Sequence, residues 1–162
     1  MNVYIEEYRE LLKVRYYTIR FENEELSETE QFFKRFHESG KPKHLADLGI
    51  IKKWILIIGK DRSAADLLLF RREKAAHALP PPFEVGNRLR LYCLVCAPDV
   101  VVLGGGGFKP KEDRLAQTSH DTAYPFEKMN DVARILKNRI KQGRISLEPK
   151  ALAGDYQKLF LS

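Results

Sequence analysis

The stretch LRLYCLVCAPDVVVLGGGGFKPK, residues 89–111, decides which fold this sequence predicts. Two strongly apolar runs flank a turn signal at residues 97–99, and this pattern predicts a β-hairpin over residues 89–105. Arg90 lies in its first strand, and Lys109 and Lys111 follow its second strand. Because phosphate chemistry needs fixed cations on a rigid surface, the hairpin is the first place to look for a functional site.

Upstream of the hairpin, the sequence predicts two helices framed by strands. Residues 15–21 are rich in β-branched and aromatic side chains, which is typical of a strand. A capping box from Ser27 to Glu30 starts one helix, and a second helix is predicted from Leu45 to Ile58, with Gly59 ending it. Residues 67–71 predict a short buried strand. Residues 1–15 stay ambiguous, because their apolar positions have helical spacing but lead directly into a strand.

Downstream of the hairpin, residues 110–123 are polar and predict a loop. Pro125 suits the first position of a long last helix, and Gly143 suits its end. The apolar stripe of this helix consists of Phe126, Met129, Val132, Leu136 and Ile140. The last residues, 148–162, predict one short helix.

Together these elements predict an α+β fold. We expect a small antiparallel sheet in β-α-α-β-β-β-α order, with the helices packed on one face. The length of 162 residues predicts a single domain over residues 1–162. Within it, the pattern indicates a core of about residues 16–142 and a short C-terminal tail, residues 143–162.

The charge of the chain is basic and unevenly distributed. The net charge is +6, with −3 over residues 1–40 and +9 over the rest. A basic region of this kind suits a polyanionic partner such as RNA, DNA or an acidic protein segment, although a solvated basic surface has the same composition. No apolar run is long enough for a membrane span, and the acidic start is unlike a signal peptide, so we expect a cytoplasmic protein with no membrane partner.

Cys93 and Cys96 form a lone C-x-x-C motif. On a strand, residues three apart point to opposite faces, so buried hydrophobic packing is the favoured interpretation. The alternative is a zinc site completed by His77 and His120, but zinc-binding cysteine pairs normally lie on a turn. We therefore expect neither a metal nor a cofactor.

The glycine run at residues 104–107 has two interpretations. Four glycines relax the end of a strand, or they let an RNA backbone approach closely, with successive amides that bind an anion. The run lacks the G-K-[ST] ending of a P-loop, which argues against nucleoside triphosphate binding.

The combined pattern resembles a known family. A strand leading into two helices, then a meander with an Arg in an L-R-L-Y strand, then VVVL, glycines and a lysine, is similar to the RelE/HigB-like toxins of type II toxin–antitoxin systems. The resemblance covers roughly residues 16–140 and is most specific from Arg88 to Lys109. It implies a small α+β domain that cleaves mRNA, usually on the ribosome, and that a cognate antitoxin protein silences.

The resemblance also implies roles for individual residues, in a reaction where the 2′-hydroxyl of the RNA attacks the scissile phosphate. Arg90 would contact that phosphate and Lys109 would neutralise the transition-state charge, with Lys111 as its alternative. Flanking phosphates would be held by Arg71, Arg72, Lys74 and Arg88. The acid/base residue is open among Tyr124, His120 and Tyr92, none of which matches a family motif.

Three functional hypotheses follow. The first is an mRNA endonuclease toxin that acts with the ribosome. The second is a non-catalytic module of the same fold that binds nucleic acid or a partner protein through its basic face. The third is a domain that self-associates through its last helix, and the sequence leaves the oligomeric state open.

Overall fold

The computed structural model describes residues 1–110 and 120–162. In this part of the chain the helices are α1 (Glu28–Glu38), α2 (Pro42–Ile57) and α3 (Ala123–Lys141). The strands are β1 (Asn2–Glu10), β2 (Arg15–Phe21), β3 (Arg71–Arg72), β4 (His77–Leu79), β5 (Leu89–Ala97), β6 (Val100–Phe108), β7 (Ile145–Glu148), β8 (Ala151–Gly154) and β9 (Lys158–Phe160).

Within the described residues, seven strands form one main sheet in the order β3-β4-β5-β6-β2-β1-β9. The predicted hairpin is its centre, with Leu94 opposite Val102 and Arg90 opposite Gly107. Neighbouring strands are antiparallel except β2 and β6, which are parallel. A parallel pair needs a long connection, and here the connection consists of α1, α2 and the β3–β5 segment. Strands β7 and β8 form a separate hairpin.

The helices lie on both faces of the main sheet. On one face, Phe32 and Phe36 of α1 and Ile51 and Ile55 of α2 pack with buried hairpin residues such as Leu91. On the other face, the apolar stripe of α3 packs against Tyr92, Leu94 and Val102. Each face of the sheet therefore has its own hydrophobic core. Alternate residues of the hairpin strands point to opposite faces and belong to different cores.

The capping box, the apolar stripe and the end of the last helix are confirmed, but two other helix ends are not. The second helix continues past Gly59 in a π-helical turn, Ile58–Arg62, and α3 begins at Ala123, two residues before Pro125. Ser27 Oγ accepts the Glu30 N–H at 3.1 Å, and Glu30 Oε1 accepts the Ser27 N–H at 3.3 Å, so both halves of the capping box are formed. In α3, Phe126, Met129, Val132 and Leu136 are buried as the stripe predicted. Gly143 follows the helix at φ +73, a left-handed conformation that glycine adopts readily.

The α+β class is confirmed and the main sheet is mostly antiparallel as predicted, but it has seven strands in the described residues and is not small. Residues 2–10 form β1 rather than a helix, because Val3 and Ile5 alternate into the core and the strand pairs with β2. The prediction that the helices share one face is also wrong, since the α3 stripe packs on the face opposite α1 and α2.

The ends of the chain belong to the core rather than to an extension of it. Residues 145–160 form β7, β8 and β9 instead of a short helix, and β9 extends the main sheet beside β1. Ile145, Leu152 and Leu159 are buried together with Val3 and Ile5. The predicted core limits of residues 16–142 are therefore too narrow.

The predicted strand at residues 67–71 is wrong as well. Leu67–Leu69 form a short 3₁₀ turn whose N-cap, Asp66, accepts the Leu68 N–H, and only Arg71–Arg72 continue as β3.

Among the described residues, no helix combines the length and the apolar character that crossing a bilayer requires.

Candidate functional site

The hairpin places Arg90 inside the protein. Arg90 lies on the α3 face of β5, and only 6% of it is exposed. Its Nη1 donates hydrogen bonds to the carbonyl oxygens of Asn87 and Leu89, both at 2.8 Å. One nitrogen of the guanidinium is therefore committed to neighbouring backbone, whereas Nε is buried with no hydrogen-bond partner among the described residues.

Lys109 is buried to the same extent, with 6% exposed. Its backbone N–H donates to the Arg88 carbonyl at 2.7 Å, which continues the β5–β6 ladder by one more bond. Its Nζ lies 3.7 Å from Glu73 Oε1, and Glu73 is itself mostly buried. We call Arg71, Glu73, Arg90 and Lys109 the interior ionic cluster, because the charges of the other three act on Glu73.

Burial dominates the titration of this cluster. It lowers the pKa of Arg90 to about 10, and the nearby Arg71 adds to this, so Arg90 remains a cation at neutral pH. Desolvation raises the pKa of Glu73, while Lys109, Arg90 and Arg71 act in the opposite direction. A carboxylate surrounded by cations balances their charge inside the fold, which is a structural arrangement rather than an open phosphate site.

Two of the four residues expected to hold flanking phosphates, Arg71 and Arg88, lie near Arg90, because the charges of both lower its pKa. Arg71 is half-buried and donates to the backbone oxygens of Pro80, Pro81 and Glu84 at 3.0–3.3 Å. Arg72 and Lys74 are exposed, and Arg88 is half-buried. Lys111 lies outside the described residues. Tyr92 is fully buried in the core against Phe126, with ring centroids 5.6 Å apart, so it is packing rather than an accessible acid.

His120 and Tyr124 come together in a different place. They line a cavity of about 390 Å³ between the N-terminal ends of α1 and α3. We call it the glycine pocket, since Gly105 and Gly106 form its floor. Its other described lining residues are Glu28, Gln31, Phe32, Arg35, Asp121 and Pro125.

The glycine run exists because helices approach β6 closely on both faces. A Cβ on Gly104 would overlap the Met129 side chain of α3, and one on Gly106 would lie 2.9 Å from the Phe32 ring of α1. The Gly104 carbonyl accepts a hydrogen bond from Thr29 Oγ1 of α1 at 2.8 Å. These contacts explain the glycine run by close packing around strand β6, without a bound RNA backbone.

Glu28 is the pocket residue that the sequence analysis missed. Its carboxyl group is half-buried beside Gly105, and desolvation, reinforced by Glu24, raises its pKa to about 7. The second carboxylate of the pocket, Asp121, accepts hydrogen bonds from Arg35 at 2.9 Å and from the Phe108 N–H at 2.6 Å. The pocket thus combines a proton donor or acceptor near neutral pH with a compensated ion pair.

The raised pKa of Glu28 predicts a pH-dependent stability. The ordinary pKa of a glutamate is 4.5, and the pKa of Glu28 in the folded protein is about 7. Between these two pH values Glu28 is mostly protonated in the folded protein and mostly deprotonated in the unfolded chain. The free energy of unfolding should therefore fall as the pH rises through this window. Thermal unfolding of Glu28→Gln across the window should show a shallower fall, while the exposed Glu25→Gln control should follow the wild type. Equal slopes for all three proteins would contradict the assignment.

The cysteines occupy opposite faces of β5, as predicted. Cys93 is fully buried in the core beneath α1 and α2, and Cys96 packs against the core beneath α3. No group of three or more His, Cys, Asp or Glu side chains within residues 1–110 and 120–162 could hold a metal ion.

Comparison with known proteins adds no assignment. No family model, no curated protein and no solved structure matches this chain.

Proposed function

We propose that this chain is a RelE/HigB-like module that acts by binding a protein partner rather than by cleaving RNA. Its fold-level support is the element order on which the resemblance rests. A strand (β2) leads into α1 and α2, and an antiparallel meander of β4, β5 and β6 follows before α3.

The observation that carries the proposal is the burial of the two cations expected at the phosphate. Arg90 and Lys109 are each 6% exposed, and each already has partners within the fold. A scissile phosphate must approach its cations to within hydrogen-bonding distance, and α3 packs on the same face of the hairpin. Opening this face for RNA would separate an ionic cluster and a hydrophobic core at the same time.

The binding face that remains accessible is the basic side of α3. Arg134, Lys137 and Lys141 are exposed there, and they recur at positions that share one side of a helix. A surface of this sign favours an acidic partner and speeds its association.

The proposal predicts that strong expression leaves bacterial growth and transcripts intact. Growth curves and mapping of transcript ends before and after induction measure this directly. Oligonucleotide binding should also be weak and lost at moderate salt, because Arg90 and Lys109 are buried and the described residues form no open phosphate site around them. Growth arrest accompanied by new transcript ends would overturn the proposal.

One observation favours a second candidate, an endoribonuclease that uses the glycine pocket. There, Glu28 has a pKa of about 7, and His120, Tyr124 and Arg35 line the same cavity. In such a reaction the 2′-hydroxyl would lose its proton to one of these groups and attack phosphorus, while the 5′-oxygen leaves with a proton from another. If transcripts are cut, Glu28→Gln and His120→Ala should abolish cutting under this candidate.

A further inference from the structure

Strand β5 is paired along only part of one edge. Its Leu91, Tyr92 and Cys93 pair with β4, which begins at His77. Residues 94–97 continue the strand and pair with β6 on the inner side, but no strand in the described part of the chain pairs with their outer side. An unpaired strand edge presents backbone donors and acceptors to any extended chain that can reach them.

The chain before β4 turns away from this edge. The Ala76 N–H donates to Asn130 Oδ1 of α3 at 2.9 Å, so the segment leaves the plane of the sheet before it can pair with Leu94. The result is a groove of about 660 Å³ between α3 and the outer edge of β5, which we call the edge groove. Its apolar floor is formed by Leu94, Cys96, Ala133, Leu136 and Ile140.

The rim of the edge groove is basic. Arg134, Lys137 and Lys141 of α3 line it, and no acidic residue is among its described lining residues. Arg134 has an ion pair with Asp131 at 3.4 Å, yet 62% of its side chain remains exposed. The groove thus combines a backbone edge, an apolar floor and a row of positive charges.

We propose that the edge groove binds an extended acidic peptide segment of a partner protein, which adds to the sheet as a strand beside residues 94–97. This inference rests on the proposed partner-binding function and names its surface and its ligand. Backbone pairing supplies affinity. Because successive side chains of a strand point to opposite faces of the sheet, the carboxylates face α3 and its basic rim, and the apolar side chains between them lie on the other face beside Val95. At about 3.3 Å per residue, the open edge takes a strand of about four residues, in line with the continuation of β4.

The test uses the full chain and a short synthetic peptide of alternating Val and Glu. Two control peptides are the Lys-for-Glu version and a version N-methylated at every residue, which has no backbone N–H to donate to a strand edge. Fluorescence anisotropy should detect binding of the first peptide only, weakening as salt is added. Hydrogen exchange should show new protection of the backbone amides at residues 94–97.

Charge reversal on the rim tests the electrostatic part. Lys137→Glu with Lys141→Glu should weaken binding roughly tenfold or more, because like charges then face each other. The matched control is Lys34→Glu with Lys60→Glu, which changes the net charge equally at exposed lysines of other elements and should bind as the wild type. Since all four lysines are exposed, the variants should unfold at the wild-type temperature.

Each outcome decides a different point. Binding by the N-methylated peptide, or protection away from residues 94–97, overturns strand addition. Equal losses in both double variants overturn the groove as the site, and preferential binding of RNA or of a second copy of the chain overturns the acidic peptide. These binding measurements are independent of the expression experiment. The proposed partner-binding function is tested by growth and transcript mapping after induction, so a failure of the edge groove and a failure of the function can be told apart.

Discussion

Replacing Glu73 with alanine is expected to lower the free energy of unfolding by about 3–5 kcal/mol, the range for breaking a buried ion pair. Glu73 lies 3.7 Å from Lys109 Nζ, and its charge also acts on Arg90 and Arg71. Without this carboxylate, three positive charges remain near one another in an environment that solvates them poorly. Urea unfolding of the purified variant measures the effect.

A matched control separates this effect from the loss of any glutamate. Glu127 is an exposed residue of α3, and Glu127→Ala should change the unfolding free energy by less than about 0.5 kcal/mol. If Glu73→Ala costs no more than this control, the interior ionic cluster does not stabilise the fold. Arg90 and Lys109 would then be available for another role, and the case against a phosphate site would be weakened.

The second large effect is expected from adding one methyl group to β6. Gly106→Ala would place a Cβ 1.8 Å from the Arg90 carbonyl oxygen and 2.9 Å from the Phe32 ring. The first contact is with backbone, so β5 and β6 must separate for the side chain to fit. We expect a loss on the order of 3 kcal/mol, the upper end of the usual range for overpacking.

Replacing Gly49 with alanine should instead raise the free energy of unfolding. Gly49 is an exposed residue of α2, and no atom lies within 4 Å of the Cβ it would gain. Alanine there should stabilise the protein by about 0.5–1 kcal/mol, because glycine is a poor helix former. Thermal unfolding of both variants gives the comparison. A neutral Gly106→Ala would mean that β6 does not approach its neighbours as closely as described.

Patterns that are local in sequence predicted the corresponding parts of the fold. The capping box at Ser27, the apolar stripe of α3 and the hairpin turn each depend on residues a few positions apart, so a short segment contains the whole signal. The strands at the two ends of the chain, which were not predicted, depend on distant partners. Strand β9 is three residues long and is stabilised by β1, almost the full length of the chain away.

The face on which a helix packs is also a non-local property. The stripe of α3 showed that one side is apolar, but either face of the sheet could have received it. The β1 segment was ambiguous for a related reason. Its apolar residues have helical spacing and lead directly into a strand, and pairing with β2 selects the strand.

The burial of Arg90 was not predicted from the sequence. Arg90 shares its face of β5 with Tyr92 and Leu94, both of which are buried, and that alternation was visible in the sequence. Its countercharge, Glu73, lies in a loop seventeen positions earlier and carries no motif. Glu28 was missed because a first-turn glutamate is common in helices, and only its burial beside Gly105 raises its pKa.

The pairing of β9 with β1 has a practical consequence for labelling and fusion. The amino group of Met1 donates to the Leu161 carbonyl at 2.9 Å, and the Leu161 N–H donates to the Met1 carbonyl at 2.8 Å. A fluorophore or affinity tag attached at the Met1 amino group or at the exposed Ser162, next to Leu161, would project from one and the same corner of the molecule. In the strand order that corner is at the far side of the sheet from β5, so immobilisation through it leaves the opposite side unobstructed.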